Sequence, residues 1–313
     1  MSVNFYFKKI LCERVILMKT NRVIFLFIIY SFSFGLLANE LTIFNYQSGG
    51  IKWNSPQKLS WTVITSSFAA HPIGHSAVRV KCESSGQEYY GGMKMKSLGE
   101  ALKLLFIKKQ GLNLMFHSFE GSLETKKEIL KYNKVGRRTG KMNFITFLLN
   151  ADNCERLIEY AKAYEIEHSR NNLYYGLPND PLKIEGAGCS AFSVSFMKVA
   201  GLLSDDYINQ WAQTKFVSNK MIGDQQNKNK VPFYRLLFGT KKFNVRKWDS
   251  SIEENKREIF FWDPDLMFLW TKNAFTNFEA PQLVKTVREK KARGLILDYR
   301  HIEVSTGPFF KNF

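Results

Sequence analysis

The chain has 313 residues, of which 45 are Lys or Arg and 28 are Asp or Glu, so its formal net charge is +17. Hydrophobic residues make up 45% of the sequence and aromatic residues 15%, which excludes a disordered or collagen-like chain. The basic residues are scattered in pairs, whereas a nucleic-acid-binding protein usually clusters them. We therefore predict a folded basic protein that binds no nucleic acid and contacts anionic polymers or, peripherally, an anionic membrane; the alternative is a basic surface that is simply solvated.

The first 38 residues have the features of a secretory signal. Lys19 and Arg22 precede an apolar run over residues 23–37, and the run ends at Ala38. This run is short for a membrane span, which needs about 20 apolar residues, although a retained membrane anchor is the alternative. We predict that translation begins at Met18, that the signal is cleaved near Ala38, and that the mature protein is periplasmic or secreted.

Export determines what the cysteines can do. Cys12 lies upstream of the signal, so three cysteines remain in the exported chain. In an oxidising compartment Cys82 and Cys154 can form a disulfide, which leaves Cys189 with a free thiol. The sequence contains no Cys-x-x-Cys pair and so does not predict a structural zinc site. We expect neither a metal nor a cofactor.

The hydrophobic pattern from residue 59 onward predicts a mixture of strands and helices. Residues 59–65 and 112–116 alternate as strands do. Residues 75–95 form a predicted hairpin, because two alternating segments flank a turn at residues 83–86. Residues 98–109 have the spacing of a helix.

The second half of the chain contains the clearest helical patterns. Residues 131–141 are basic and contain two glycines, which indicates a linker. A strand is predicted next over residues 143–149, and helices are predicted over residues 151–168 and 189–203. Beyond residue 205 the pattern changes. Residues 223–230 form a predicted exposed polar loop, and residues 259–270 and 294–304 are predicted strands or short elements.

Cys189 is the first candidate for a catalytic residue. It follows Gly186-Ala187-Gly188, where a turn enters the predicted helix over residues 189–203. At a helix N-terminus, unpaired backbone N–H groups and the positive end of the helix dipole stabilise a thiolate, the nucleophilic form of cysteine. The same N–H groups can hold an oxyanion. The alternative is an inert cysteine in a core helix.

His75 is the candidate general base. It opens a predicted strand and can take a proton from the thiol and later return it. The alternative is a surface histidine near His71. Two residues on one side of the facing strand, Glu88 and Tyr90, are candidates to orient its ring, although a register shift of one residue would select Gln87 or Tyr89 instead.

Other polar residues near His75 have weaker patterns. Arg79 shares a strand face with His75 and is a candidate to bind a substrate carboxylate or phosphate; the alternative is a salt-bridged or solvated arginine. His71, His75 and Cys82 are three possible zinc ligands, but His75 and Cys82 point to opposite faces of a strand. A zinc site is therefore not predicted.

These residues carry a resemblance to a known family. The segment Gly74-His75-Ser76-Ala77-Val78-Arg79-Val80, with Ser66-Ser67 before it, resembles the SxxGHSALRV stretch of the bacterial Lnb N-terminal periplasmic domain family. Glu88-Tyr89-Tyr90-Gly91 stands where that family has a YNYG-like strand, and Gly188-Cys189 stands where it has Asn-Cys at a helix start. The order of histidine before cysteine is that of circularly permuted papain-like proteins of the NlpC/P60 superfamily.

The resemblance covers about residues 59–205 and implies both a fold and a chemistry. It implies an α+β, permuted papain-like domain over residues 39–205, in which a small antiparallel sheet packs on helices. Residues 206–313 would then form a C-terminal α+β extension. It also implies that Cys189 and His75 act as a catalytic dyad.

Together these observations predict an exported thiol hydrolase or acyltransferase. It would act through a thioester on an amide or ester of the cell envelope, within a polymer, a peptide or a lipid. One alternative is a non-catalytic envelope-binding protein that keeps the papain-like fold. Another is an enzyme specific for lipids, which requires an apolar groove that leads to Cys189.

Overall fold

The computed structural model describes residues 39–66, 71, 73–171, 174–223, 229–240, 243–250 and 255–310, with the backbone alone for residues 168–171. The predicted signal, over residues 1–38, lies outside the described residues. In the described ranges no helix has both the length and the apolar character needed to cross a membrane.

An eight-stranded mixed sheet forms the centre of the molecule, in the order β6-β4-β3-β2-β1-β5-β10-β9. All neighbouring strands run antiparallel except β5 and β10, which are parallel. The strands are β1 (Asn39–Tyr46), β2 (His75–Cys82), β3 (Gln87–Met95), β4 (Phe119–Leu123), β5 (Met142–Leu149), β6 (Tyr174–Tyr175), β9 (Leu283–Glu289) and β10 (Ala292–Asp298). A separate two-stranded antiparallel sheet contains β7 (Ala212–Ser218) and β8 (Lys256–Trp262).

Eight α-helices in the described ranges complete the fold, which is therefore α+β. They are α1 (Pro56–Ser66), α2 (Leu98–Leu102), α3 (Lys126–Thr139), α4 (Ala151–Asn171), α5 (Cys189–Val199), α6 (Asp205–Trp211), α7 (Phe233–Phe238) and α8 (Pro264–Asn277). A π-helical turn continues α2 over Lys103–Ile107, and short 3₁₀ helices occupy Leu112–Phe116, Pro181–Lys183 and Asn219–Met221.

The two faces of the large sheet bury different side chains, because successive residues of a strand point to opposite faces. On β2, Val78 and Val80 join a hydrophobic cluster that contains Phe192 of α5. Ala77 points to the other face and packs in a cluster with Ile129 of α3. A third cluster lies between the two-stranded sheet and helices α1 and α7. The start of β2 thus lies close to elements from both faces.

Several sequence predictions are confirmed. The hairpin over residues 75–95 is formed by β2 and β3, the strand over residues 143–149 by β5, and the two long helices by α4 and α5. Of the helix predicted over residues 98–109, residues 98–107 are helical, in α2 and its π-helical continuation.

Three local predictions were wrong. Residues 59–65 belong to helix α1, because Leu59 and Val63 are four residues apart and pack in one cluster, as on a helix face. Residues 112–116 form a 3₁₀ helix rather than a strand. Residues 131–141 fall largely in α3, since a capping box formed by Thr125 and Glu128 stabilises the start of this helix.

The predicted organisation also needs correction. The sheet is mixed and has eight strands, whereas a small antiparallel sheet was expected. Residues 39–313 form one compact unit, so the boundary between residues 205 and 206 does not separate two domains. The reason is that β10, late in the chain, pairs beside β5 within the central sheet. The segment after residue 205 is therefore part of the same core.

Candidate active site

The fold brings His75 and Cys189 together across 189 − 75 = 114 positions of sequence. His75 is the first residue of β2, and Cys189 is the first residue of α5. The contact between these elements includes a hydrogen bond from the Ser76 hydroxyl to the Ser193 hydroxyl, at 2.9 Å. The backbone N–H of Ser76 and the imidazole of His75 both lie close enough to the sulfur of Cys189 to lower the pKa of its thiol.

A tight turn delivers His75 to this position. Gly74 has a backbone φ of +79°, a conformation that residues with a side chain rarely adopt. A Cβ atom at Gly74 would lie 2.7 Å from Cγ of Pro264, at the start of α8. Glycine is therefore required both for the conformation of the turn and for the close approach of α8.

Glu124 orients the imidazole of His75. Its Oε2 atom lies 2.7 Å from Nε2 of His75, and the two side chains are only 2% and 7% exposed. The backbone N–H of Glu124 donates to the carbonyl of Gly92 at 2.8 Å, and a Cβ atom at Gly92 would overlap the Glu124 carboxylate. Because Nε2 is engaged by Glu124, Nδ1 is the ring nitrogen left for the thiol.

The predicted orienters, Glu88 and Tyr90, do not reach His75. In the β2–β3 register Glu88 lies opposite Lys81 and Tyr90 opposite Arg79. These partners are six and four residues along the strand from His75, which corresponds to about 20 Å and 13 Å. The prediction was wrong because it assigned the orienter to the nearest strand in sequence, whereas Glu124 comes from the end of β4.

Arg79 does not have the free guanidinium that a substrate-binding role would need. Its Nε atom donates to Glu88 at 2.9 Å, and a second nitrogen lies 3.7 Å from a carboxylate oxygen of Glu40. Two carboxylates thus balance its charge. The structure favours the salt-bridged alternative for Arg79.

The charges of the site favour a thiolate beside an imidazolium. Burial alone would raise the pKa of Cys189, but the hydrogen bond and positive charge of His75, with the N–H of Ser76 and the hydroxyl of Ser190, lower it below its ordinary value of 9.0. Burial alone would lower the pKa of His75, whereas the carboxylate of Glu124 and the sulfur of Cys189 raise it. The proton is thus favoured on the imidazole, and the sulfur carries the negative charge.

Several hydrogen-bond donors lie near the sulfur of Cys189. Gly188 is the N-cap of α5 and has no side chain to occupy the N–H groups of the first helical turn. The buried hydroxyl of Tyr175 lies 3.9 Å from the sulfur of Cys189. Burial and the neighbouring sulfur raise the pKa of Tyr175 well above its ordinary value, so its hydroxyl remains a donor. These groups can stabilise negative charge on a carbonyl oxygen.

His71 stacks on His75. Their ring centroids are 4.8 Å apart, and the rings are inclined by only 7°. Burial and the charge of His75 lower the pKa of His71 to about 3, so His71 is neutral when His75 is charged. Tyr46 and Tyr132 surround the two imidazoles with aromatic contacts. The stack restricts rotation of the His75 ring.

A small, partly enclosed cavity opens beside Cys189. Its volume is about 20 Å³, roughly the space that one water molecule needs. Most of its lining is apolar or aromatic, and the side chains beside Cys189 include Trp53, Ile73, Leu177, Phe261 and Trp262. An apolar group bound here would lie next to the nucleophile.

A disulfide links Cys82, at the end of β2, to Cys154 of α4. Cys189 is the free cysteine of the described residues and is buried. Among the described residues, Cys189 is therefore the thiol available to react with a substrate.

Sequence reasoning missed Glu124 and Tyr175. Glu124 directly precedes the capping box of α3, and the strand before it, β4, was not predicted; the acid at the junction of a strand and a helix was the available signal. Tyr175 was noticed only as part of a tyrosine-containing segment, because its contact with Cys189 depends on the pairing of β6 with β4.

No family model matches this chain, and no curated protein or solved structure matches it at a significant level.

Proposed function

We propose that the protein is a thiol hydrolase or acyltransferase in which Cys189 attacks the carbonyl carbon of an amide or ester. The observation that carries this proposal is the buried contact of Cys189 with His75, whose opposite ring nitrogen is held by Glu124. This is the arrangement of nucleophile, base and orienting group on which covalent acyl transfer depends. The contact argues against the non-catalytic alternative, which requires no such alignment.

The reaction proceeds in two acyl transfers. The thiolate of Cys189 forms a bond to the carbonyl carbon, and the oxyanion is held by N–H groups at the start of α5 and by Tyr175. The C–N or C–O bond of the substrate then breaks, and His75 gives its proton to the leaving group. Water or a second acceptor next gives a proton to His75 and attacks the thioester, which releases the acyl group and restores the thiolate.

The same features support a permuted papain-like fold and an exported protein. The histidine strand β2 precedes the cysteine helix α5 in sequence, as that fold requires. The disulfide between Cys82 and Cys154 supports an oxidising compartment, since such bonds persist outside the cytosol. We therefore propose a periplasmic or secreted enzyme that acts on an amide or ester of the cell envelope.

The apolar lining of the cavity favours a lipid-like acyl group as a second, narrower candidate for the substrate. Trp53, Ile73 and Phe261 offer apolar contacts but no charge to a bound group. A small apolar group at the mouth of this cavity would lie beside the sulfur of Cys189, and a longer acyl chain would extend outward from the mouth. A charged or strongly polar acyl group would lose hydration there without compensation.

Acylation of Cys189 by p-nitrophenyl esters tests the proposal. The protein is mixed with the acetate, butyrate and octanoate esters, and the acyl adduct is located by mass spectrometry of the peptide that contains residue 189. We expect an adduct on Cys189 that His75→Gln slows by a factor of about 100 or more and Cys189→Ala abolishes. Unchanged ester hydrolysis by Cys189→Ala would refute the function.

A cavity variant separates the substrate class from the chemistry. Ala191 lines the cavity, and Ala191→Leu fills part of it. We expect this variant to react with the small reagent iodoacetamide like the wild type but to lose its preference for the longer esters. If the wild type has no such preference, the lipid-like candidate is wrong while the thiol mechanism stands.

A further inference from the structure

Three helical segments away from the catalytic residues expose large apolar side chains. Six of them, each between 43% and 72% exposed, are Trp61 of α1, Leu102, Phe106 and Ile107 of α2 and its π-helical continuation, and Tyr234 and Phe238 of α7. We call these six side chains, together with the exposed bases of the same three segments, the apolar–basic face. Single exposed apolar residues are ordinary, but a group of this size marks an interaction surface.

The side chains of this face are neighbours rather than scattered. The rings of Trp61 and Phe238 meet edge-on with centroids 5.9 Å apart, which joins α1 to α7. Tyr234 lies four residues before Phe238 on the same side of α7. Phe106 contacts Phe233 of α7 with ring centroids 5.5 Å apart. These contacts join the three segments to one another, directly between Trp61 and Phe238 and through the buried ring of Phe233 for Phe106.

The backbone beneath this surface is held in place. Gln57 of α1 donates a side-chain hydrogen bond to the carbonyl of Leu237 in α7, at 2.7 Å. The N–H of Val231 donates to the carbonyl of Lys109 at 2.6 Å. The inward residues Leu59, Leu105 and Leu236 share one hydrophobic cluster. The face is thus preformed and presents its apolar groups without a change in fold.

The charges around the face select its partner. Residues 56–66, 98–109 and 233–238 contain one acid, Glu100, and five exposed bases, Lys58, Lys103, Lys108, Lys109 and Arg235, which gives 5 − 1 = +4. Glu100 is already paired with His117 at 3.4 Å. Exposed apolar and aromatic side chains that share their segments with exposed bases match the boundary between the headgroups and acyl chains of an anionic bilayer.

We propose that the apolar–basic face docks the protein on the surface of an anionic lipid bilayer. Phe106, Ile107 and Phe238 enter the acyl boundary, and the surrounding bases remain at the anionic headgroups. The cavity beside Cys189 is built on the same hydrophobic cluster, through Trp53, Ile73 and Phe261. Docking would not require catalysis, so the inference stands apart from the proposed function and fails or succeeds separately.

Vesicle flotation with variants of the full chain tests the docking surface. The probes are vesicles of phosphatidylcholine alone and of phosphatidylcholine with phosphatidylglycerol. We expect binding to the anionic vesicles, a reduction of more than about tenfold for Phe106→Ser with Ile107→Ser, and a reduction of about 30-fold for Lys108→Gln with Lys109→Gln. Val284→Ser with Lys285→Gln, on edge strand β9, is the matched control and should bind like the wild type, since Val284 is 55% exposed.

Hydrogen–deuterium exchange keeps the test decisive even if residues 1–38 attach every variant to vesicles. We expect anionic vesicles to protect peptides from residues 98–110 and 233–239, but not a peptide from β9. Absence of that protection overturns the proposal. It is also overturned if only the lysine variant loses binding, which would mean general charge attraction, or if the Phe106 and Ile107 variant dissociates a dimer of the free protein instead.

Discussion

Replacement of Glu124 by Gln is expected to disable the thiolate while leaving the fold intact. The change keeps the size of the side chain but removes the negative charge 2.7 Å from Nε2 of His75. Since both side chains are almost completely buried, water cannot substitute for the lost charge. A hydrogen bond to a charged group contributes about 1.5–3 kcal/mol, and about 1.4 kcal/mol corresponds to one pKa unit. The pKa of His75 should therefore fall by about one to two units.

The sign of the effect on Cys189 follows from the ion pair. Below its ordinary pKa of 9.0 the thiol ionises because its proton is accepted by His75. A less basic His75 accepts that proton less readily, so the pKa of Cys189 rises toward 9.0. At pH 7 we expect the rate of alkylation by iodoacetamide to fall by about 10- to 100-fold, and the midpoint of its pH profile to move upward.

The assay follows alkylation of the peptide that contains Cys189 by mass spectrometry between pH 5 and 10. Glu120→Gln is the matched control, because Glu120 lies on β4, the strand that Glu124 directly follows, but is exposed and pairs with Lys96. Thermal unfolding of both variants tests whether the fold is kept. A wild-type pH profile in a folded Glu124→Gln variant would refute the assignment of Glu124 as the orienting residue.

Three further predictions concern stability. Gly74→Ala should reduce the free energy of unfolding by more than the ~1 kcal/mol expected of Gly86→Ala. Both glycines have positive φ, but only a Cβ atom at Gly74 would clash with another residue. Equal losses of unfolding free energy in urea would contradict the packing of Gly74 on α8. Reduction of the disulfide, which closes a loop of 72 residues, should cost about 2–4 kcal/mol, and an unchanged urea midpoint under reductant would contradict this. Burial raises the pKa of Asp263 to about 6 from 3.8. The carboxyl group therefore makes the folded state more stable, by about 3 kcal/mol, as pH falls from about 7 to about 4. Asp263→Asn should remove that part of the pH dependence, and identical profiles of unfolding free energy against pH for the two proteins would argue against it.

The sequence alone determined those features whose signal is local. The alternation of residues 75–95 around a turn was sufficient to predict the hairpin of β2 and β3, because side chains of a strand alternate between two faces. Helical spacing was sufficient for α4 and α5, and with α5 it placed Cys189 at a helix start. Local spacing failed for α1, whose short apolar pattern is compatible with both a strand and a helix.

Tertiary structure alone decided which distant elements meet. The choice of Glu124 over Glu88 depends on β4 lying next to β3, and the inclusion of residues after 205 in the core depends on β10 lying next to β5. Neither pairing can be predicted from the local hydrophobic pattern, because a strand shows the same alternation of hydrophobic residues whichever strand it pairs with. Residue type and spacing therefore identified the candidate nucleophile and its candidate base, whereas the order of strands in the sheet selected the carboxylate that holds the imidazole.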